Sequence, residues 1–283
     1  MVLKILATAL KVLLIAVMSI VLLLAIMGGG WGAKHMVSTH PFYTGKLTLI
    51  AHRGVADKAP ENTMASAARA KELGFTFVEL DLKQSRDQRF YLFHDRDSRR
   101  LFGRDIRLSN YSLAELQEIP LLHQGIPTDH RVPSMDDFIS QFSDKLIFYL
   151  DVKRHGNYQY GALAERITAF LARNGLTDRS MVGSDFLFTA YLEFRYPELH
   201  TVFTGPGNWT IIFYRWIPKK FRPDFIISYA EEVTDWHLEW LSRNDLVNRR
   251  MLYGIDGNNY NRVRKWKIPY LVVEYDPVMN SDL

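Results

Sequence analysis

The sequence predicts an α/β fold, a (β/α)8 TIM barrel with a hairpin after strand two and a small insertion, preceded by an N-terminal transmembrane helix. Three observations predict it: nine short runs rich in β-branched and aromatic residues, helix-length stretches between most of them, and one long apolar segment near the N-terminus. The runs fall at 47–51, 75–82, 90–93, 146–152, 180–183, 200–203, 225–229, 250–253 and 270–273. Stretches such as 63–73, 160–174 and 234–248 lie between them, the βαβ rhythm of a parallel sheet covered by helices. The second and third runs break that rhythm. Only residues 83–89 separate them, and a parallel crossover needs about a dozen residues or more, so these two must form an antiparallel hairpin. The remaining eight strands suit a barrel of the usual size, about 250 residues. Residues 101–133 hold no strand-like run and are read as an insertion over one βα junction, placed to cap the site.

The apolar segment begins the chain. Residues 12–33 contain no charge, and at about 1.5 Å per residue this run reaches roughly 33 Å, enough to cross a hydrocarbon core of about 30 Å. Lys4 and Lys11 precede it, so the positive-inside bias predicts a single-pass membrane protein with a cytoplasmic N-terminus and its catalytic domain on the periplasmic or luminal side. A cleaved signal peptide is the competing reading, with Gly30-Trp31-Gly32-Ala33 as a small-x-small site; the length of the apolar core favours the retained anchor. A helix buried in a soluble core is disfavoured, because an all-round apolar helix at a chain terminus has little to pack against. The expected organisation is an anchor at 1–33, a connector at 34–46 and a catalytic barrel at 47–283.

Composition narrows the chemistry. With 47% apolar and 23% charged residues, 17 Gly and 11 Pro, the chain is globular and free of long low-complexity linkers. The absence of Cys excludes disulfides, thiolate zinc sites and cysteine nucleophiles, so any metal must sit on oxygen or imidazole. The net charge is +4, and two of those charges are Lys4 and Lys11; the remainder is too small to suggest a nucleic-acid partner. No protein partner is implied.

In a barrel of this kind the reacting groups stand at the C-terminal ends of the strands. Strand one ends in His52-Arg53-Gly54. Strand two carries Glu79 and Asp81, two residues apart and therefore on one face, and the next parallel strand carries Asp151 and Lys153 in the same spacing. Charges inside apolar strands are costly unless paired or coordinating an ion, and three carboxylates from adjacent strands suit a hard divalent cation, Ca²⁺ or Mg²⁺. A hairpin turn centred near Asp87-Gln88 places residue 94 opposite residue 81, so His94 is expected to face Asp81. Two imidazoles beside a cation, with Arg53 and Lys153 adding positive charge, match the needs of phosphodiester cleavage. One group deprotonates the nucleophile, another protonates the leaving alkoxide, and charge stabilises the phosphorane oxygens.

The residues Ala51-His52-Arg53-Gly54, Pro60-Glu61-Asn62-Thr63, Glu79-x-Asp81 and Phe93-His94-Asp95, in that order, resemble the glycerophosphodiester phosphodiesterase family as a membrane-anchored member. Val132-Pro133-Ser134-Met135-Asp136-Asp137-Phe138 and Tyr149-Leu150-Asp151-Val152-Lys153 extend the resemblance, which runs from about residue 46 to 277. The resemblance implies the same barrel. It makes His52 and His94 the acid/base pair, gives Glu79, Asp81 and Asp151 to the cation, gives Arg53 and Lys153 to the phosphate, and has Glu61 orient Arg53 or contact the alcohol. Three departures stand out: Asp151 where most members carry Glu, Tyr253-Gly254-Ile255-Asp256 for an aromatic-Thr-Val-Asn segment, and Val272-Val273-Glu274-Tyr275-Asp276-Pro277 where hydrophobic residues and Thr-Asp are usual.

The function implied is hydrolysis of glycerophosphodiesters to glycerol 3-phosphate and an alcohol. The alternatives are lysophospholipase D-like hydrolysis of membrane lysophospholipids, and a non-catalytic membrane-bound barrel whose signature, a missing ligand or histidine, is not found. Glu61 also suits a carboxylate at the start of the following helix. His123, His130, His155, His200 and His237 read as ordinary core or surface residues, and Arg96, Arg99, Arg100 and Arg104 as a solvated run or a headgroup contact. The stretch 208–218, NWTIIFYRWIP, followed by Lys219-Lys220-Phe221-Arg222, fits an interfacial segment or an inward-packing barrel helix equally well.

Overall fold

The structure, a computed structural model, describes residues 2–28, 30, 42, 46–154, 159–205 and 207–283, with side chains from residue 6 onward except at 208–210. Its strands in chain order are β1 (Thr48–Ala51), β2 (Phe77–Gln84), β3 (Phe90–Leu92), β4 (Leu122–His123), β5 (Ile126–Pro127), β6 (Ile147–Val152), β7 (Ser180–Ser184), β8 (His200–Thr204), β9 (Phe225–Tyr229), β10 (Arg250–Ile255) and β11 (Tyr270–Val273). The helices are α1 (Val2–Met27), α2 (Met64–Glu72), α3 (Arg99–Phe102), α4 (Leu113–Gln117), α5 (Met135–Phe142), α6 (Tyr160–Arg173), α7 (Phe186–Arg195), α8 (Asp235–Arg243) and α9 (Tyr260–Val263).

Eight strands run parallel in the order β1-β2-β6-β7-β8-β9-β10-β11, and β11 pairs back onto β1, closing the barrel. Alternation along each strand sends one set of side chains outward to the helices and the other inward. The outward set forms the main core with the helices, for example Val78, Leu80 and Leu82 of β2 against Phe138 and Phe142 of α5. The inward set fills the lower barrel with Ile50, Phe77, Met181, Val202, Phe225, Met251 and Tyr270, and Phe42, the one described residue between 31 and 45, packs into this layer. Toward their C-terminal ends, β2 and β6 set charged residues inward: Glu79, Asp81 and Asp151.

Helix starts follow the capping chemistry of the sequence. Thr63, Ser112 and Thr234 each close a capping box with the residue three places on, and Ser134 and Asp185 cap α5 and α7. The stretch 234–248 is shorter as a helix than its pattern suggests, because α8 stops at Arg243 before the left-handed Asp245.

The hairpin departs from expectation by one residue. The β2–β3 register pairs Leu82 with Leu92 and Gln84 with Phe90, so continuing the ladder sets Phe93, not His94, opposite Asp81. The Phe93 N–H indeed donates to the Asp81 carbonyl at 2.9 Å. The turn is a five-residue loop centred on Asp87, with Gln88 in the left-handed region at φ 63°, rather than one centred between Asp87 and Gln88.

The insertion also differs from a strandless loop. It contains α3, α4 and the small β4–β5 hairpin, whose turn residues Gln124 and Gly125 have φ of 52° and 81°, the pattern of a two-residue primed turn. A core of its own, including Phe93, Leu101, Phe102, Leu113, Leu116 and Ile119, holds it together.

Of the remaining expectations, the connector 34–46 lies outside the described residues except for Phe42 and Lys46, as do Trp31, Gly32, Ala33 and His155. The 208–218 stretch is a 3-10 helix over Asn208–Trp216, standing where a barrel helix between β8 and β9 would be. Ile211 and Tyr214 are buried, as an inward-packing helix requires, while Phe213 and Trp216 are exposed.

Candidate active site

A cleft of about 360 Å³ opens at the C-terminal ends of the strands. His52, Arg53, Glu79, Asp81, His94, Asp151 and Lys153 all line it, together with Tyr149, Thr204, Tyr229, Tyr253 and Glu274. Among the described residues, none from 101–133 does, so the insertion flanks the site rather than capping it.

The turn after β1 is held under strain. Arg53 has φ 54° and Asn62 φ 56°, a region that non-glycine residues seldom occupy. Several bonds hold it there. The Arg53 N–H donates to Glu79 Oε2 at 3.0 Å, and its carbonyl accepts from the Asn62 N–H at 2.9 Å and from Ser66 Oγ at 3.0 Å. Gly54, at φ 77°, lies so close to α2 that a Cβ there would stand 2.5 Å from Ser66 Oγ. These contacts aim the Arg53 side chain inward, where Nε lies 3.1 Å from Asp81 Oδ2 and Nη1 donates to Glu61 Oε1 at 2.8 Å.

Glu61 is therefore a partner of arginine, not a helix-dipole carboxylate. It also accepts from Arg100 Nη1 and Nη2, at 2.7 Å each, while Arg100 Nε donates to Asp95 Oδ2 at 2.7 Å. Arg100 thus differs from the solvated residue it was expected to be, whereas Arg99 pairs with its neighbour Asp97.

Glu79, Asp81 and Asp151 each present a carboxylate oxygen, all within 4.8 Å of one another and all buried. Oxygens ligating one hard cation at about 2.1–2.6 Å span at most about 5 Å, so the cluster has the right size. Asp81 Oδ1 is buried, and Asn62 Nδ2 donates to Oδ2 at 2.7 Å, leaving Oδ1 directed toward positive charge. Lys153 Nζ stands 3.1 Å from that oxygen and also donates to Asp151.

Crowding of acids sets the electrostatics. Burial, reinforced by the neighbouring Asp81 charge, pushes the Glu79 carboxyl up to about 8. For Asp81, burial acts upward, but Lys153 and Arg53 outweigh it and hold the carboxyl below its ordinary value. Lys153 is raised despite burial by Asp151 and Asp81.

The two histidines differ. His94 lies on the short segment after β3; burial, aided by Arg53, lowers its pKa below 6.5 against the pull of Asp81, and its Nδ1 bonds Asp95 Oδ1 at 2.8 Å. His52 is opposed by burial but raised above 6.5 by its Nδ1 contact with Glu274 and by Glu79, whose Oε2 lies 3.9 Å from Nε2. Glu274 carries no assigned role in the sequence reading. Its signal was the departure from the usual Thr-Asp ending; pairing of β11 with β1 is what brings it beside His52.

Of the other histidines, His237 closes the cap of α8 and His200 meets the Phe42 ring edge-on.

Residues 52–169 match the glycerophosphoryl diester phosphodiesterase family. The chain resembles that family over 118 of its 283 residues. It is an enzyme of the phosphoric diester hydrolase class. The Bacillus subtilis protein YhdW is 26% identical over 219 residues, which are 76% of this chain and 84% of that one. The mouse glycerophosphodiester phosphodiesterase 1 is 29% identical over 130 residues, 44% of this chain, and the matched region spans 39% of the mouse protein. Solved structures share the fold, two of them as follows. One is a glycerophosphodiester phosphodiesterase from Agrobacterium tumefaciens, with TM-score 0.68 and 18% identity over 83% of this chain and 99% of that one. The other is an Oleispira antarctica phosphodiesterase in complex with sn-glycerol-3-phosphate, with TM-score 0.68 and 19% identity over 85% and 98%.

Proposed function

We propose that this chain is a member of that family, a membrane-anchored, divalent-cation-dependent hydrolase that cleaves glycerophosphodiesters to glycerol 3-phosphate and an alcohol. The observation that carries this reading is the convergence of Glu79, Asp81 and Asp151 with His52, His94 and Arg53 on one cleft. Product binding by the Oleispira protein supports the choice of product.

Glu79, Asp81 and Asp151 would hold the cation, Ca²⁺ or Mg²⁺, which when bound neutralises the phosphate and stabilises charge that develops on it. Arg53 and Lys153 hold the phosphate oxygens, and Glu61 orients Arg53. His94 donates its Nδ1 proton to Asp95, so the Nε2 lone pair is the base that takes the proton of the attacking water or of a neighbouring glycerol hydroxyl. His52, held at Nδ1 by Glu274, carries a proton at Nε2 and gives it to the departing alkoxide.

The anchor reading rests on Leu6–Met27, in which an 18-residue window has a mean hydropathy of 2.9 and which contains one lysine. A lysophospholipid is the second substrate reading. It is favoured by the half-exposed Tyr229, whose ring lies 3.9 Å from that of Tyr253 at the cleft wall and offers an apolar face beside the phosphate groups. Release of choline from glycerophosphocholine and from lysophosphatidylcholine, by wild type and by His94→Ala, tests both readings. Loss of a general base costs about 10²–10⁴-fold, and that loss is expected for whichever substrate is turned over. Unchanged turnover in His94→Ala would overturn the assignment.

A further inference from the structure

Among the described residues, the end of the N-terminal helix meets the barrel at residues 218–221. Ala25 and Gly28 are buried, although most of the helix is exposed. The Gly28 carbonyl accepts from the Lys220 N–H at 2.8 Å, and the Gly30 carbonyl from the Lys219 N–H at 3.1 Å. A Cβ on Gly28 would lie 2.3 Å from Pro218 Cβ and 2.9 Å from Phe221 Cδ2, an approach that only glycine permits.

The segment that receives the helix carries a cluster of exposed apolar side chains. Phe213 is 61% and Trp216 75% exposed. Phe194 of α7 stacks on Phe221 at 5.0 Å between ring centroids, and Leu187, 67% exposed, stands two turns earlier on the same side of α7. Lys219 and the exposed Lys220 adjoin them. Such a grouping marks an interaction surface rather than scattered exposure.

The connection to α1 decides what covers it. With Leu6–Met27 across the bilayer, Gly28 sits at the edge of the hydrocarbon core, and the headgroup layer beyond is about 5–8 Å deep. Two residues of chain reach at most about 7 Å, which keeps Trp216 within that layer of Pro218. Phe213 follows at about 2 Å per residue along the 3-10 helix, within roughly 10 Å. Aromatic residues flanked by lysines are the side chains favoured at this depth.

We infer that the flank formed by α7 and residues 211–221 docks on the surface of the same bilayer that holds α1, with Phe213 and Trp216 in the headgroup layer and Lys219 and Lys220 toward lipid phosphates. This rests on the anchor reading above. The barrel then lies on its β8–β9 side, and the cleft wall formed by Thr204 and Tyr229 of those strands opens beside the membrane surface.

The absence of native cysteine allows single-site labelling of the full chain. Phe213→Cys, Trp216→Cys, Ile15→Cys and Lys71→Cys, each carrying one fluorophore, are reconstituted in phosphatidylcholine/phosphatidylglycerol vesicles with nitroxides at the headgroup or deep in the acyl chain. Lys71 is the solution control, because α2 lies between β1 and β2, across the barrel from the flank. The expected result is headgroup-nitroxide quenching at 213 and 216 about threefold or more above that at 71, with deep quenching at 15. Quenching at 15 with 213 and 216 no different from 71 overturns the docking alone. No quenching at 15 sinks the anchor reading and the docking with it.

Discussion

Glu274 raises the pKa of His52 through its contact at Nδ1, with Glu79 adding to the effect against burial, and this gives a pH signature. His52 must carry a proton to serve as the acid, and its pKa is raised above 6.5, so activity is retained below that pKa and lost as pH rises through it. His94 must be neutral to serve as the base, and its pKa is lowered, so activity is lost only as pH falls below 6.5 and through that value. Replacing Glu274 by Gln removes the charge that raises His52. The basic limb of kcat/KM against pH should move to lower pH while the acid limb stays; a profile with both limbs unmoved removes Glu274 from the account. Most of the charged residues of the site were legible because each sits in a short motif at a strand end. Glu274 was not, since only barrel closure juxtaposes residues 222 positions apart.

At the scale of elements, the junction of β1 with α2 is the most constrained part of the site. Gly54 combines a positive φ with a Cβ position 2.5 Å from Ser66 Oγ, and Ser66 both closes the α2 capping box and fixes the Arg53 carbonyl. Gly54→Ala should push α2 away from β1, costing about 2–3 kcal/mol, read as a lower Tm, and it should reduce activity beyond what the lost stability explains. A variant of wild-type Tm and activity would show that the turn tolerates a side chain. Strand positions were legible to within about two residues because each strand is a short apolar, β-branched run buried on both faces. The hairpin register was not, because a half-residue difference in the centre of the turn changes which residue stands opposite Asp81. His94 reaches the cleft regardless, because the chain leaves the ladder just before it. The β4–β5 hairpin escaped notice because two-residue strands carry no periodic signal.

At the scale of the molecule, the barrel separates two environments along its axis. An apolar lower layer of Phe77, Phe225 and Tyr270 gives rigid support, and the acidic layer above it places like charges close together at the cost of raising Glu79. A divalent cation bound there would relieve that repulsion, and the fold should then gain stability from it in the manner of any ligand bound only by the native state. Tm should therefore rise on addition of the activating cation, and the rise should vanish in Asp81→Asn. The parallel barrel, the apolar N-terminal helix and the acidic trio were all visible in the sequence because each is a local pattern. The joint between α1 and Pro218–Phe221 was not, since nothing in either segment names the other.

The central claim is that one ion-centred cleft performs the hydrolysis. Its most direct test is the rate of glycerophosphocholine hydrolysis by the full chain after removal of divalent cations with chelator, and again after adding back Ca²⁺ or Mg²⁺. The account predicts a loss of about 100-fold or more, restored by one of the two ions in wild type but not in Asp81→Asn. Undiminished hydrolysis after chelation, or full restoration in Asp81→Asn, would contradict it.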